Sequence, residues 1–179
     1  FWTAITARIR PMDLVYGLVL GAVLVGLQVV LQAAASAVGV NAGEGDNTGF
    51  LRGQPPAWTI VLAVSAAVVA PIVEELFFRG LFLHALLKRS LHASSNTVQY
   101  AHASTRSVVW AVVITSVVFG VLHVSEVTSA SGAAFLLLVT VAFGAVLAWA
   151  AVYFGRLGPG IVAHIGVNAV GVLAAIFFS

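Results

Sequence analysis

The sequence contains no cysteine. This absence excludes disulfides, thiol catalysis and zinc–thiolate sites within the chain. It also means that cysteine usage cannot indicate whether the protein's compartment is oxidising or reducing. Charge is also scarce, because Asp, Glu, Lys and Arg make up 8% of the residues, against about 25% in a typical soluble domain. A water-exposed surface could not be built from so few charged groups. The scarcity of charge therefore indicates that a lipid bilayer surrounds the chain. The formal net charge of +2 is too small to suggest a nucleic-acid partner, and we expect none.

Long apolar runs take the place of the missing charge, since 61% of the residues are hydrophobic. A membrane span needs about 20 mostly apolar residues, and runs of this length without alternation indicate helices rather than strands. The predicted fold class is all-α: a polytopic membrane helix bundle of about five or more transmembrane helices, forming a single membrane-embedded domain over residues 1–179. The predicted spans are 14–38, 58–87, 108–124, 133–154 and 161–178.

The distribution of charge between the runs predicts an orientation. If every run crosses the membrane, most basic residues lie on one side, and that side holds Arg8, Arg10, Lys88, Arg89, Arg106 and Arg156. The other side holds Arg52 with Glu44, Asp46 and Glu126. Basic loops stay in the cytoplasm, so we expect a multi-pass protein of the cell membrane whose first residue is cytoplasmic. The chain begins with Phe1 rather than Met, and we expect it to be a fragment of a longer protein.

The first run has a second interpretation. Arg8 and Arg10, the apolar run and the small residues 35–37 also match a cleavable signal peptide. The run is longer than the apolar region of such peptides, and Gly17 and Gly21 form a small-xxx-small pair suited to close helix packing. We therefore favour a transmembrane helix that packs closely against another.

Ionisable and polar residues inside the apolar runs are the informative feature. A central charged residue costs roughly 2.5–3.5 kcal/mol on membrane-insertion scales, and such residues persist where they pair or line a wet cavity. An ionisable residue within a span is therefore a functional candidate by default. The candidates are Glu74, Glu75 and Arg79 in the second run, His123 at the end of the third, and His164 and Asn168 in the fifth.

Helical geometry predicts which of these residues lie on the same face of a helix. Glu75 and Arg79 are four apart, so they share a face and can form an ion pair. Glu74 points about 100° away from Glu75, so it should be left available as a general base. His164 and Asn168 repeat the four-residue spacing and share a face. Pro71, which lacks an N–H, is expected to kink the helix just before the two glutamates.

Three short motifs carry a family resemblance. Glu74-Glu75-Leu-Phe-Phe-Arg79, Phe119-Gly-Val-Leu-His123 and His164-Ile-Gly-Val-Asn168 occur in this order on separate predicted helices. They resemble the EExxxR, FxxxH and HxxxN/D motifs of the CAAX-protease and bacteriocin-processing (CPBP, or Abi) membrane proteases. The match covers residues 71–168. Any one motif is weak, but the three together in order are specific.

The resemblance implies an intramembrane endopeptidase that hydrolyses a peptide bond by CAAX-type or leader-peptide-type processing. Its substrate would be a peptide or a membrane protein, lipidated or not. By the same resemblance, Glu74 would activate water with help from His123. His164 and Asn168 would stabilise the oxyanion, and Glu75 and Arg79 would brace the site.

The resemblance leaves the use of a metal open. Glu74, His123 and His164 could hold Zn²⁺ with one open coordination position, as in a metalloprotease. Equally, glutamate and histidine could activate water without a metal. No HExxH sequence is present, which excludes a zincin helix. We favour the metal-free mechanism.

Two other functions are compatible with the polar residues. The chain could be a non-enzymatic membrane partner or immunity protein in which the polar cluster only fastens the bundle. It could also be a transporter, because buried Glu, Arg and His serve as relays; the lack of internal repeats and the small size count against this function.

The depths of the three motifs make a further structural prediction. At 1.5 Å per residue, His164 lies only about 6 Å past Gly160, whereas Glu74 and His123 lie about 20 Å from the same side. The motifs can meet at one level only if the turn Gly158-Pro159-Gly160 dips into the protein. Irregular backbone is tolerated at such depth where protein covers it.

Overall fold

Five long helices make up the bundle. The computed structural model of the protein describes residues 9–40, 48–90, 104–124 and 129–178, with backbone only at 89 and 90. The helices are α1 (Pro11–Ala37), α2 (residues 56–90), α3 (Thr105–His123), α4 (Ala130–Phe154) and α5 (Gly158–Phe177), with a short 3₁₀ turn at Gly49–Leu51. Four of the residues that were counted in predicting the orientation lie outside the described residues: Arg8, Glu44, Asp46 and Glu126.

The all-α prediction is confirmed, since five helices are long and apolar enough to cross a membrane and the described residues contain no strand. All five helices begin two or three residues earlier than hydropathy predicted, and first-turn prolines or N-capping serines start four of them. Pro11 and Pro56 occupy first-turn positions, where the missing N–H costs nothing. Ser104 and Ser129 accept hydrogen bonds from the amides of Ser107 and Gly132.

Close contact between α1 and α5 makes the first apolar run part of the bundle. A Cβ added at Gly17 would lie 2.4 Å from Cβ of Val162, and one at Gly21 would lie 3.3 Å from the carbonyl oxygen of Ala163. The two backbones can approach this closely only because neither position carries a side chain. The small-xxx-small prediction for Gly17 and Gly21 is therefore confirmed.

Helix α2 changes its winding on both sides of the two glutamates. Ser65–Val69 and Leu76–Phe82 are π-helical, and the α-helical stretch Ala70–Glu75 lies between them. The first π-helical stretch ends just before Pro71, which cannot donate to the ordinary helical ladder. The winding of α2 therefore changes next to this proline, and the kink predicted there stays a prediction. π-Helical turns occur frequently at functional sites.

The turn before α5 is buried, as the depth argument required. Gly155 ends α4 with φ of +62°, a left-handed conformation that glycine adopts without strain. Leu157, Gly158, Pro159 and Gly160 then enter the protein interior, and α5 starts there. This buried start brings the first turns of α5 to the level of Glu75, since a Cβ at Gly160 would lie 3.1 Å from Glu75 Oε2.

The two ends of the bundle differ in charge. We call the end that carries Arg10, Lys88, Arg106 and Arg156 the basic end, and the end where α1, α3 and α5 finish the opposite end. At the basic end, Asp13 is fully buried and joins α1 to the turn before α5. Its Oδ1 accepts from Arg156 Nε at 2.7 Å and its Oδ2 from the Arg10 amide at 2.9 Å. We call this the Asp13 clasp.

Candidate active site

An ion pair inside the bundle anchors the site. Arg79 Nη1 donates to Glu75 Oε1 at 2.8 Å, four residues back along α2, and both residues are fully buried. Arg79 Nη2 donates to the carbonyl oxygen of Gly144 on α4 at 3.2 Å. The guanidinium carbon also lies 4.6 Å from the centre of the Phe119 ring on α3, within the range of a cation–π contact. One arginine thus ties three helices together at the depth of the glutamates.

His164 joins this pair from α5. Its Nδ1 lies 2.9 Å from Glu75 Oε1, the oxygen that also accepts from Arg79. An ionised carboxylate only accepts hydrogen bonds, so His164 Nδ1 carries the proton and donates it. The other ring nitrogen, Nε2, lies 3.6 Å from Glu74 Oε2. His164 therefore bridges the two neighbouring glutamates, with one nitrogen towards each.

The two glutamates have different surroundings. Glu75 is held by Arg79 and His164 and is closed off from solvent. The Glu74 side chain is 27% exposed, and its contact with His164 is longer than a hydrogen bond. The geometry therefore agrees with the predicted division, in which one carboxylate is held and its neighbour is available.

Aromatic rings form one wall of the site. Phe143 on α4 packs edge-on against His164 with ring centroids 4.9 Å apart. The Phe119 ring lies 6.0 Å from the His164 ring and 4.4 Å from the His123 ring. His123 uses Nδ1 in a 2.7 Å contact with the carbonyl oxygen of Phe119 on its own helix. Phe119 therefore lies between the two imidazoles and contacts His123 on its own helix.

Asn168 lies one turn beyond His164 and has a different partner. Its amide donates to the carbonyl oxygen of Ala66 at 3.0 Å, inside the π-helical stretch Ser65–Val69. The shared face predicted for His164 and Asn168 nevertheless holds, because both line one cavity of about 610 Å³ together with His123. Glu74 is not among the lining residues, but His164, which is one of them, has its Nε2 3.6 Å from Glu74 Oε2.

Whether Glu74, His123 and His164 hold a metal stays a prediction. Across the described ranges, no group of three or more His, Asp and Glu side chains is placed to hold a metal ion. His164 Nδ1 is occupied by Glu75, and His123 Nδ1 by Phe119. The arrangement that does form is a glutamate–imidazole pair, Glu74 and His164, backed by Glu75 and Arg79.

Several contacts of the site were not predicted from the sequence. Phe143 shapes the His164 face, the Gly144 carbonyl binds Arg79, and Gly160 lies against Glu75. In the sequence, the small residues Gly144 and Gly160 were the one feature that could have indicated these contacts. A glycine lets the backbone lie next to a buried polar group where a larger residue would not fit. Phe143 gave no signal within a helix that is apolar all round.

Comparison with known proteins supplies the family. The family model described as type II CAAX prenyl endopeptidase Rce1-like matches residues 56–170. No curated protein and no solved structure matches the chain. The matched region contains all six polar site residues, from Glu74 to Asn168, and covers more than half of the sequence. The chain therefore belongs to the Rce1-like family of type II CAAX prenyl endopeptidases, a family of multi-pass membrane proteases.

Proposed function

We propose that the protein is an intramembrane endopeptidase in which Glu74 activates water and His164 assists at the carbonyl. The observation that carries this proposal is the placement of His164 between the two glutamates, 2.9 Å from Glu75 and 3.6 Å from Glu74. A cluster that served only to fasten helices would saturate its polar atoms. Here Glu74 is instead left partly exposed beside an oriented imidazole.

The contact with Glu75, which is itself paired with Arg79, fixes the tautomer of His164. Because Nδ1–H donates to Glu75, Nε2 is the nitrogen that faces the reaction. A buried carboxylate that orients a histidine in this way is a recurring arrangement in hydrolases, where it fixes both the tautomer and the ring plane. Glu75 and Arg79 therefore act as positioning residues rather than as catalytic residues.

The steps follow from these roles. Glu74 takes a proton from water as the water oxygen attacks the carbonyl carbon of the scissile bond. His164, when protonated at Nε2, donates a hydrogen bond to the oxyanion that forms. The carbon–nitrogen bond then breaks, and the proton held by Glu74 passes to the leaving amine. The products are a new carboxylate and a new amine.

His123 and Asn168 would act from the cavity wall. The Asn168 amide has two N–H groups, and its bond to Ala66 uses one of them, so the second could donate to a substrate carbonyl. His123 keeps Nε2 for a substrate or a water molecule, because Nδ1 is held by Phe119. Both are proposed as substrate-contacting groups that support Glu74 and His164.

The substrate is proposed to be a peptide or membrane-protein segment, and the family name raises the question of whether it must be lipidated. Purified protein should be incubated with a panel of quenched-fluorescent peptides, each made with and without a farnesylated cysteine. Cleavage should be located by mass spectrometry. We expect at least one peptide to be cut, and a preference for the farnesylated series would assign CAAX-type processing.

Matched variants test the assigned roles. Glu74→Ala, His123→Ala and His164→Ala should each abolish cleavage, whereas Val73→Ala should retain it. Val73 is the neighbour of Glu74 on α2, and its side chain is 58% exposed. Wild-type turnover by all three variants would contradict the proposal. If no peptide is cut and the variants only lower the unfolding temperature, the cluster is a helix-packing device and the protein is a non-enzymatic partner.

Metal analysis of the purified protein, with cleavage measured after chelation, tests the metal-free prediction.

A further inference from the structure

A groove on the outer face of α4 lies apart from the candidate active site. It has a volume of about 480 Å³, and its lining contains none of the polar site residues. Leu20 comes from α1 and Val112 from α3, and the other lining residues come from α4: Ala145, Val146, Trp149, Ala150, Tyr153 and Phe154. Trp149 is 50% exposed and Tyr153 is 77% exposed. The groove therefore opens to the surroundings of the bundle, which for a membrane protein are lipid.

The length of the groove matches the thickness of one leaflet. Along α4 its lining runs from Ala145 to Phe154, a rise of about 14 Å at 1.5 Å per residue. The hydrocarbon core of a bilayer is about 30 Å thick, so each leaflet supplies about half of that distance. One acyl chain of a single leaflet can therefore lie along the whole groove, in contact with apolar and aromatic side chains.

The groove ends beside arginines at the basic end. The ring of Phe154, its last lining residue, lies 5.4 Å from the guanidinium carbon of Arg156 and stacks on Tyr16 of α1 with ring centroids 5.1 Å apart. Arg156 uses Nε for Asp13 and Nη1 for the Phe154 carbonyl oxygen, so Nη2 is the donor that remains. The amide of Arg10 binds the same carboxylate, which brings Arg10 close to Arg156. An apolar groove thus leads to two cationic side chains.

Positive charge exceeds negative charge at this end of the described bundle. Asp13 is the one carboxylate among its described side chains, and it stands against the cations Arg10, Lys88, Arg106 and Arg156. Basic pockets between membrane helices bind the head groups of anionic lipids, and the guanidinium donors of arginine match the geometry of a phosphate. The order of an apolar groove followed by a cationic end therefore fits a ligand with an apolar chain and an anionic head.

From these observations we infer that the groove binds an anionic phospholipid, with one acyl chain along α4 and the phosphate at Arg156 and Arg10. This site does not depend on the proposed peptidase activity. A zwitterionic phospholipid could place a chain in the groove, but its own cation would offset the attraction to the arginines, so a preference for a net negative head group is the signature of the site. A helix of a protein partner fits less well, because it would need contact over a whole span of about 30 Å and would leave the cationic end unmatched.

Trp149 supplies a probe inside the groove. Replacing Trp2, Trp58 and Trp110 by Phe leaves Trp149 as the single tryptophan of the chain. A matched control protein keeps Trp110 instead, which is 57% exposed on α3 and does not line the groove. Each protein is reconstituted into phosphatidylcholine vesicles that contain a rising mole fraction of either phosphatidylglycerol or phosphatidylcholine with dibrominated acyl chains. Bromine quenches the fluorescence of a tryptophan that it contacts, so the quenching curve reports which lipid occupies the groove.

We expect brominated phosphatidylglycerol to quench Trp149 at a lower mole fraction than brominated phosphatidylcholine, by about fivefold for each arginine that contacts the head group. Trp110 should be quenched equally by the two lipids. Arg10→Gln should reduce the preference at Trp149 by about fivefold, and it keeps the Asp13 clasp because Arg10 binds Asp13 through its backbone amide. Arg52→Gln removes an arginine beside the 3₁₀ turn and should leave the preference unchanged.

Equal quenching of Trp149 by the two brominated lipids would overturn the inference, because the groove would then hold only ordinary surrounding lipid. The same preference at Trp110, or an equal loss of preference in Arg10→Gln and Arg52→Gln, would also overturn it, since the enrichment would belong to the whole protein surface. A preference that survives Arg10→Gln would contradict the placement of the head group. If neither lipid quenches Trp149, protein rather than lipid covers the groove and the inference fails.

Discussion

Two buried pairs of an acid and an arginine occur in the described bundle, and they differ in how completely their polar atoms are satisfied. In the Asp13 clasp, each carboxylate oxygen of Asp13 has its own donor, and Arg156 Nη1 also donates to the carbonyl oxygen of Phe154. In the inner pair, Glu75 Oε2 and Arg79 Nε are buried without a hydrogen-bond partner among the described residues. Next to them, Glu74 is partly exposed and 3.6 Å from His164.

This difference separates a structural pair from a functional one. Native proteins satisfy nearly all buried polar atoms, and the Asp13 clasp follows that rule. An incompletely satisfied polar cluster in the interior costs stability, and such clusters are expected where the sequence serves function. We therefore interpret the Asp13 clasp as a fastening of α1 to the turn before α5, and the inner cluster as an active site.

The largest effect on stability should come from breaking the inner pair. Arg79→Met leaves the Glu75 charge buried without its arginine, and removing one partner of a buried pair typically costs about 3–5 kcal/mol. Because Glu75 then loses its fixed position, His164 should lose its orientation and cleavage should disappear. Chemical unfolding in detergent and the peptide assay measure the two effects. Arg106→Met, at an exposed helix end, is the control and should change stability by no more than about 0.5 kcal/mol; equal stability of the two variants would contradict the pairing.

Breaking the Asp13 clasp should cost less and should leave chemistry alone. Asp13→Asn removes the charge facing Arg156, whose side chain is 14% exposed and can turn towards water. The expected loss of stability is about 1–3 kcal/mol, the usual cost of an unsatisfied buried polar group. Cleavage per folded molecule should equal that of the wild type. A double-mutant cycle with Arg156→Met isolates the pair energy, and a loss of turnover in the fully folded variant would show that the clasp is not merely structural.

The residues that could be predicted from sequence are those related by local geometry. The pairing of Glu75 with Arg79 follows from four-residue helical spacing, and the close packing at Gly17 follows from its spacing to Gly21. Both predictions need only the regularity of one helix.

The residues that sequence reasoning missed depend on contacts between distant segments. Asp13 and Arg156 are 143 residues apart, and Asn168 binds the Ala66 carbonyl in a π-helical stretch of α2, 102 residues away. The pairing of Glu75 with Arg79 was predicted, whereas its contact with His164 was not. Such contacts depend on how whole helices are placed against each other, which periodicity within one helix does not specify.

Close packing of α1 on α5 supports the Asp13 clasp, and a matched pair of glycines in α1 measures its contribution. Gly17→Ala would bring a methyl group to 2.4 Å from Val162 Cβ and 2.9 Å from the carbonyl oxygen of Pro159. Overpacking of this kind costs typically about 1–3 kcal/mol. Gly26→Ala makes the same change on the same helix with nothing within 4 Å, so it should be neutral or should stabilise by up to about 1 kcal/mol from helix propensity. Equal unfolding midpoints for the two variants would contradict the close approach.

A small effect on stability is expected at Asn168. Asn168→Ala removes the hydrogen bond to Ala66, and interhelical side-chain hydrogen bonds in a membrane protein contribute about 0.6 kcal/mol on average. If the second N–H of the amide contacts the substrate oxyanion, cleavage should fall by about 10²–10³. Unfolding and cleavage rates measured on one preparation separate the two contributions. A rate within a fewfold of wild type would remove Asn168 from the chemistry and leave it as a helix-packing residue.

The central claim is that the cluster around His164 is arranged for reaction at Glu74. The most direct test is Glu74→Gln, measured for cleavage rate and unfolding temperature on the same purified sample, because this change keeps the shape of the side chain and removes its basicity. We predict that cleavage falls by about 10²–10⁴, the usual contribution of a general base, while the unfolding temperature stays at the wild-type value. Unchanged cleavage, or an unfolding temperature that drops as far as in Arg79→Met, would contradict this account.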